Sequence, residues 1–211
     1  MRHVILAHGL WVPGVVMRPL AARLERAGLR CHTFSYLGAG RPLEAHAARL
    51  ARFARELPDQ GGPAHFVGHS LGGLVILRML ENERGIAPGR VVLEGVPYRG
   101  SAAGRALAAN RIGARALGRS MREWLEASPP GPCGREVGVI AGTLGAGLGR
   151  LIARGLPVPN DGTVAVAETE FPAAADRIAL PVSHTGMLVS RTVARQICAF
   201  LRDGRFERGA T

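Results

Sequence analysis

A serine flanked by glycines is the residue of this chain best suited to nucleophilic chemistry. It lies in Gly68-His69-Ser70-Leu71-Gly72-Gly73, after an apolar run and at the start of a helical pattern. This context matches G-x-S-x-G on a tight strand-to-helix turn, where flanking side chains would clash. The alternative role, a simple helix cap, does not require glycine on both sides. The pattern therefore predicts that Ser70 is a nucleophile with an exposed hydroxyl.

Two backbone N–H groups are expected to bind the oxyanion that forms when the serine attacks a carbonyl. One belongs to Leu71, at the positive N-terminus of the helix that follows the serine. The other is assigned to Leu10, in the loop after the first predicted strand, which reads His8-Gly9-Leu10-Trp11-Val12-Pro13-Gly14. A plain β-to-α turn is the alternative for this loop.

The general base is predicted by elimination. Enzymes with this kind of serine turn place the serine, the acid and the histidine in that order along the chain. Six of the seven histidines precede Ser70, which leaves His184 as the base. His69 adjoins the serine, but adjacent residues on such a turn point in different directions. We therefore expect His69 to line the substrate pocket or to support the site from behind.

The acid that orients the imidazole is expected between Ser70 and His184, where the chain has two aspartates. Asp161 lies in a loop after the fifth predicted strand, so its carboxylate can reach the histidine. Asp176 directly precedes the last predicted strand, at the opposite end of the sheet. Asp161 is therefore the predicted acid, although Asp-Gly is also a common turn pair. Glu94, near the end of the fourth predicted strand, is the rival.

Other chemistries find little support in the sequence. The D-x-D-G-T motif of aspartyl phosphatases would need an aspartate at Pro159, and the glycine-rich segment 142–149 lacks the GxxxxGK[ST] pattern that cradles phosphates. The sequence contains no H-x-H or H-E-x-x-H spacing and no CxxC pair among its three cysteines, Cys31, Cys133 and Cys198. We therefore predict neither a metal nor a cofactor.

Short apolar runs alternate with longer amphipathic segments, the pattern of parallel strands joined by crossover helices. The predicted strands are 4–7, 30–35, 64–68, 90–94, 137–141 and 177–181. The predicted helices are 15–27, 43–57, 71–83, around 102–109, around 115–125 and about 186–201. These elements predict an α/β fold, a three-layer αβα sandwich around a mostly parallel sheet of about six strands.

The whole chain, residues 1–211, is predicted to form one domain. Segment 98–134 has no strand pattern, and it contains the loop-forming sequence Ser128-Pro129-Pro130-Gly131-Pro132. We expect this segment to be a small lid or insertion over one edge of the sheet.

These motifs together resemble the α/β-hydrolase superfamily, specifically its small lipase or esterase members without a cap domain. The resemblance covers almost the whole chain and is carried by His8-Gly9, Gly68-His69-Ser70-Leu71-Gly72-Gly73, Asn160-Asp161-Gly162 and Ser183-His184-Thr185-Gly186-Met187. It implies ester hydrolysis through a covalent acyl-enzyme. Members of the superfamily usually have two further strands before the one predicted at 4–7, so a trimmed sheet is expected here.

The predicted substrate is a small-molecule carboxylic ester with a hydrophobic acyl or alcohol part. Trp11, Met187 and Leu188, together with Leu10, are expected to make the pocket mouth apolar, although all four are equally compatible with the core. Thioester hydrolysis or acyl transfer would use the same catalytic residues. A catalytically inactive hydrolase fold that serves as a binding protein is the alternative from another class.

The net charge of +11 does not by itself indicate a nucleic-acid partner. All 27 basic residues are arginines, and they are scattered singly rather than gathered in one run, which is typical of a solvated surface. The apolar run 4–7 is too short for a signal peptide, and no stretch of about 18 apolar residues predicts a membrane span. We expect a cytoplasmic protein; the sequence does not indicate its oligomeric state.

Overall fold

Six parallel strands form a single sheet at the centre of the protein. The computed structural model describes residues 2–208 except 58–63, 84, 87–88, 128, 130, 132 and 147–154. The strands are β1 His3–Ala7, β2 Arg30–Phe34, β3 Ala64–His69, β4 Val91–Glu94, β5 Val137–Gly142 and β6 Asp176–Leu180. They lie in the order β2-β1-β3-β4-β5-β6, and every pairing between neighbours is parallel. The predicted six-stranded parallel sheet is confirmed.

Helices cover both faces of this sheet. The α-helices are α1 Arg18–Arg26, α2 Leu43–Arg55, α3 Leu71–Asn82, α4 Ala102–Ala108, α5 Arg111–Glu126 and α6 Arg191–Asp203. Three short 3₁₀ helices are Gly14–Met17, Val166–Thr169 and Thr185–Val189. None of the helices in the described ranges is long and apolar enough to cross a bilayer.

The side chains of the inner strands alternate between two hydrophobic cores. In β1, Ile5 and Ala7 belong to the core that also contains buried residues of α2, α3 and α5. Val4 and Leu6 belong to the core shared with α1 and α6. Because successive residues of a strand point to opposite faces, the sheet separates these two helical layers. The predicted three-layer sandwich is therefore confirmed.

Several helix boundaries differ from the predicted ones because of local turn chemistry. Segment 15–27 is a 3₁₀ turn followed by α1, whose Pro19 is tolerated because it lies in the first turn. Helix α5 begins at Arg111 rather than near residue 115, since the Asn110 side chain accepts a hydrogen bond from the Gly113 N–H and caps it. The Ser190 side chain caps α6 in the same way, after the 3₁₀ helix Thr185–Val189.

Helices α4 and α5 occupy the segment predicted to be a lid. Gly118 interrupts α5 with a φ of 76°, and a Cβ at this position would lie 2.4 Å from the Ala39 Cα. The Arg119 N–H donates to the Ala39 carbonyl. The kinked part of α5 therefore packs against the loop after β2. The predicted loop 128–132 and the glycine-rich segment 142–149 both extend into residues outside the described ranges.

All the predicted catalytic side chains follow the carboxyl end of a strand. Leu10 follows β1, Ser70 follows β3, Asp161 follows β5 and His184 follows β6. Because the carboxyl ends of parallel strands share one edge of the sheet, these four residues come from loops on the same side of the protein.

Candidate active site

Ser70 lies on a strained turn between β3 and α3. Its φ of 54° and ψ of −124° are rare for a residue with a side chain. A Cβ at Gly72 would lie 2.2 Å from the Ala7 carbonyl oxygen, and one at Gly68 would lie 2.5 Å from the Gly73 Cα. The glycines on both sides of the serine are thus required by the close approach of α3 to β1 and of the turn to itself.

The backbone around Ser70 is held by β4. The Ser70 N–H donates a hydrogen bond of 3.0 Å to the Glu94 carbonyl. Gly9 approaches from the other side, since a Cβ added there would lie 3.1 Å from the Ser70 Cβ. The half-buried Ser70 hydroxyl makes no hydrogen bond with any residue that the structure describes, including His184.

His184 and Asp161 form a buried pair. The His184 Nδ1 lies 2.7 Å from the Asp161 Oδ2. The backbone N–H of His184 also donates to the backbone carbonyl of Asp161, at 2.8 Å. The other carboxylate oxygen accepts the N–H groups of Thr163 and Val164 at 2.8 and 2.7 Å. Since Asp161 accepts the Nδ1 proton, the Nε2 of His184 is the nitrogen left free to act as a base.

Gly95 connects this pair to the serine turn. It directly follows Glu94, whose carbonyl holds the Ser70 N–H. Its φ is 58°, and a Cβ there would lie 3.0 Å from the His184 Nδ1 and 3.1 Å from the Asp161 Oδ2. The end of β4 therefore contacts both parts of the site. Sequence reasoning missed Gly95; its signal was a glycine directly after an apolar strand.

His69 lies buried behind His184. Its Nε2 is 3.0 Å from the His184 carbonyl oxygen, and the two imidazole rings are 4.6 Å apart. Burial, followed by the neighbouring His184, lowers the pKa of His69 to about 3, so the ring is neutral at physiological pH. The structure thus places His69 where it supports His184 rather than on an exposed pocket wall.

Leu10 and Leu71, the residues predicted to supply the oxyanion donors, both lie near Gly38. Leu71 is the first residue of α3. Across the described ranges, neither its N–H nor that of Leu10 donates a hydrogen bond. Their side chains converge on Gly38, where a Cβ would lie 3.0 Å from the Leu71 Cδ2 and 3.4 Å from the Leu10 Cδ1.

His8 and Tyr36 hold the loop that carries Leu10. The His8 Nδ1 lies 2.8 Å from the Gly9 carbonyl oxygen, and its Nε2 accepts the Tyr36 N–H at 3.1 Å. The Tyr36 hydroxyl donates to the His8 carbonyl at 2.8 Å. Burial lowers the pKa of His8, which favours the neutral ring that this donor-and-acceptor pattern requires. Because the C=O and N–H of a trans peptide point in opposite directions, the bond to Gly9 turns the Leu10 N–H away from His8.

The sequence did not assign a role to His8 or to Tyr36, which together form the His8–Tyr36 clamp. The position of His8 directly after a strand and before Gly9 was its only local signal. Tyr36 follows β2, so its contact with His8 depends on the pairing of β2 with β1.

The residues predicted at the pocket mouth separate into two groups. Trp11 is 54% exposed, has a φ of 61°, and donates its indole N–H to the Ala116 carbonyl of α5 at 2.6 Å. Leu10 is partly buried against the core. Met187 and Leu188 instead pack in the core between the sheet and α6, where Met187 is fully buried. Their side chains therefore do not form the exposed mouth that was expected.

Glu94, the rival acid, has surroundings unlike those of Asp161. It is completely buried, and neither of its carboxyl oxygens has a partner in the described part of the chain. Burial raises its pKa to about 8, so the carboxyl group is mostly protonated at neutral pH. The structure pairs His184 with Asp161 rather than with Glu94.

Metal-ligating side chains do not gather elsewhere in the described residues, since no group of three or more histidine, cysteine, aspartate or glutamate residues is placed to hold an ion. The side chains discussed above at this edge are a serine hydroxyl, an imidazole and a carboxylate.

Comparisons with known proteins agree with this geometry at the level of family and fold. Residues 4–205 match the model of the alpha/beta hydrolase family. No curated protein sequence matches the chain.

Solved structures share its fold at low sequence identity. A lipase of Bacillus licheniformis in its mature form is 16% identical, with a TM-score of 0.77 over 95% of this chain and 91% of that one. A metagenomic carboxyl esterase is 19% identical, with a TM-score of 0.64 over 87% and 64%. An Arabidopsis methylesterase is 15% identical, with a TM-score of 0.60 over 96% and 98%.

Proposed function

Because the chain belongs to the alpha/beta hydrolase family, we propose that it is a serine hydrolase that cleaves carboxylic esters with Ser70, His184 and Asp161. The observation that carries this proposal is the strained backbone at Ser70, beside a buried histidine–aspartate pair. A residue other than glycine adopts this conformation at a cost of about 1–3 kcal/mol. A purely structural turn gains nothing from this strain. The names of the lipase and the esterases that share the fold point to the same bond class.

In the proposed mechanism, His184 Nε2 takes the Ser70 proton while the Ser70 Oγ attacks the ester carbonyl carbon. Asp161 holds the imidazole in the required tautomer and stabilises its charged form. The N–H groups of Leu10 and Leu71 bind the resulting oxyanion, and the loss of one such donor typically costs about 2.7–4 kcal/mol.

The intermediate then collapses. The C–O bond to the alcohol breaks as the imidazolium returns the proton to the leaving oxygen, which leaves the acyl group on Ser70. A water molecule, deprotonated by His184, attacks the acyl carbon. The bond from that carbon to the Ser70 Oγ then breaks, the imidazolium returns the proton to Oγ, and the acid is released. Serine–histidine hydrogen bonds in unliganded enzymes are often long and tighten when substrate binds, which is consistent with the unbonded Ser70 hydroxyl.

Labelling with a fluorophosphonate probe tests the proposal. The probe should modify the wild-type protein, and the label should disappear in Ser70→Ala. Ser101→Ala is the matched control, because Ser101 caps α4 through the Gly104 N–H and its loss costs about 1 kcal/mol of stability without reaching the site. A folded wild type that resists the probe would instead indicate a binding protein with an inactive hydrolase fold.

A panel of p-nitrophenyl esters and matched thioesters of increasing acyl length then defines the substrate. Preferential turnover of oxygen esters supports the proposal. Faster turnover of thioesters, or transfer of the acyl group to an added alcohol, would assign the same residues to a thioesterase or an acyltransferase.

A further inference from the structure

An arginine-lined groove lies beside the proposed active site. It has a volume of about 830 Å³ and is bounded by the loops after β1 and β2 and by one face of α2. Three of its lining residues are Arg41, Arg49 and Arg52, and none of its lining residues is acidic.

These arginines have no acidic partner in the part of the chain that the structure describes. Among the described residues, Arg41, Arg49 and Arg52 form no ion pair, whereas other arginines do, such as Arg90 with Glu136. Unpaired cations around a concave surface concentrate a positive potential there. The groove is therefore complementary to an anion.

Two of the cations act on the same buried side chain. The Arg49 guanidinium lies 5.7 Å from the centroid of the Phe34 ring, which helps to position it. His46 lies buried against Tyr36, and its pKa is lowered to about 4 by burial first and then by Arg49 and Arg41. Both arginines therefore lie close enough to His46 to disfavour its charged form.

The groove adjoins the proposed oxyanion donors. Gly38 lines it, and a Cβ at Gly38 would contact the side chains of Leu71 and Leu10. Trp11 and Leu37 also line it, and they are 54% and 83% exposed. An apolar chain that starts at Ser70 thus has an apolar surface to follow before it reaches the arginines.

We propose that this groove selects esters that carry a carboxylate or phosphate at the far end of an apolar chain. The inference rests on the proposed ester hydrolysis and adds the substrate class. Arginine suits this task because its planar guanidinium donates paired hydrogen bonds to either anion and remains charged at every physiological pH.

A pair of esters that differ only in the terminal group tests the inference. The wild type should show a higher kcat/KM for the mono-p-nitrophenyl ester of suberate than for p-nitrophenyl octanoate. In Arg49→Gln/Arg52→Gln the ratio of the two kcat/KM values should fall about ten-fold, as expected for the loss of hydrogen bonds to a charged group. Glutamine has a helix propensity close to that of arginine, so α2 is retained.

The matched control is Arg26→Gln/Arg30→Gln. Both arginines are exposed, and they lie at the end of α1 and the start of β2, at the amino ends of the strands, whereas the groove lies at the carboxyl ends. The ratio should remain at its wild-type value in this control. A ratio that is equal in the wild type and the groove variant, or that falls equally in the control, overturns the inference.

Binding measured without turnover separates this inference from the proposed function. Calorimetric titration of Ser70→Ala with suberate should show binding that disappears when Arg49→Gln/Arg52→Gln is added. Suberate binding in a protein that hydrolyses neither ester would overturn ester hydrolysis and retain the anion groove. Hydrolysis of the octanoate ester without suberate binding would retain the hydrolase and overturn the groove.

Discussion

Asp161 and Glu94 are two buried carboxyl groups at the same edge of the sheet, but only one has partners. Asp161 accepts the Nδ1 proton of His184 and two backbone N–H groups, whereas both Glu94 oxygens lack a partner among the described residues. Hydrogen bonds of this kind stabilise an ionised carboxylate, and burial without them disfavours it. The two side chains should therefore respond differently to replacement by the matching amide.

Asp161→Asn should lower kcat by about 10²–10⁴, because the amide cannot hold the imidazole in the required tautomer. Ester turnover measures this loss, and circular dichroism checks that the fold is retained. Glu94→Gln is the matched substitution, and it should keep most of the turnover at pH 7. If Glu94→Gln produced the larger loss, the acid would be Glu94.

The ionisation of Glu94 should also appear in stability. Between about pH 4.5 and 8 the carboxyl is charged in the unfolded chain but protonated in the folded one, so the contribution of Glu94 to stability falls as pH rises through this window. Glu94→Gln removes this dependence and should stabilise the protein at pH 8 by a few kcal/mol relative to wild type. Urea unfolding at pH 5 and pH 8 measures the effect, and an equal change at both pH values would contradict it.

At the scale of single residues, the sequence indicates the proposed reacting groups more clearly than the residues that surround them. Ser70 and His184 were predictable because a motif and a unique chain position define them. The roles of Met187 and Leu188 were not, since an apolar residue after a strand has the same pattern whether it faces a pocket or the core. The His8–Tyr36 clamp was hidden because its partners are 28 residues apart.

At the scale of elements, the contact between α3 and β1 determines the serine turn. Gly72 lies against the carbonyl groups of Ala7 and His8, where a Cβ would be 2.2–2.6 Å from the backbone. Backbone atoms cannot move aside as a flexible side chain would. The helix can therefore approach the strand this closely only if residue 72 is glycine.

Gly72→Ala should therefore destabilise the protein by more than the roughly 1 kcal/mol that alanine gains over glycine in a helix. Thermal unfolding should show a lower Tm and ester turnover should fall. Gly85→Ala is the control, because a Cβ at Gly85 has no neighbour within 4 Å. Similar Tm values for the two variants would show that the approach of α3 to β1 does not restrict residue 72.

The strands were predicted to within about two residues, and the helix ends less accurately. A buried parallel strand is a short apolar run, which is visible in the sequence. The starts of α5 and α6 depend on the side-chain caps of Asn110 and Ser190. The kink at Gly118 depends on its contact with Ala39, which local sequence does not reveal.

At the scale of the whole molecule, buried histidines make the fold sensitive to acid. Burial, as the first cause, lowers the pKa of His46 and His65 to about 4 and that of His69 to about 3. Each takes up a proton more readily when the chain unfolds, so stability falls as pH decreases from about 6.5. Above pH 4.5 the buried Glu94 changes stability in the opposite direction, but this one carboxyl group is opposed by three histidines.

Unfolding midpoints in urea should therefore decrease steadily between pH 6.5 and pH 4.5. For each additional proton bound by the unfolded chain, the free energy of unfolding decreases by about 1.4 kcal/mol per unit of decreasing pH. His65→Gln should reduce this slope, and Arg26→Gln, a substitution at the exposed end of α1, should leave it unchanged. A midpoint that is constant across this range would contradict the buried neutral histidines.

Because Tyr36 follows β2, the proposed catalysis depends on an edge strand of the sheet. Strand β2 lies at one edge of the sheet and pairs with β1 alone among the described strands, so its local fraying breaks fewer contacts than that of an inner strand. Such fraying would withdraw Tyr36 from His8 and release the peptide that orients the Leu10 N–H, while the inner strands of the sheet remained paired. Ester turnover should consequently be lost at a lower denaturant concentration than the one that unfolds the protein.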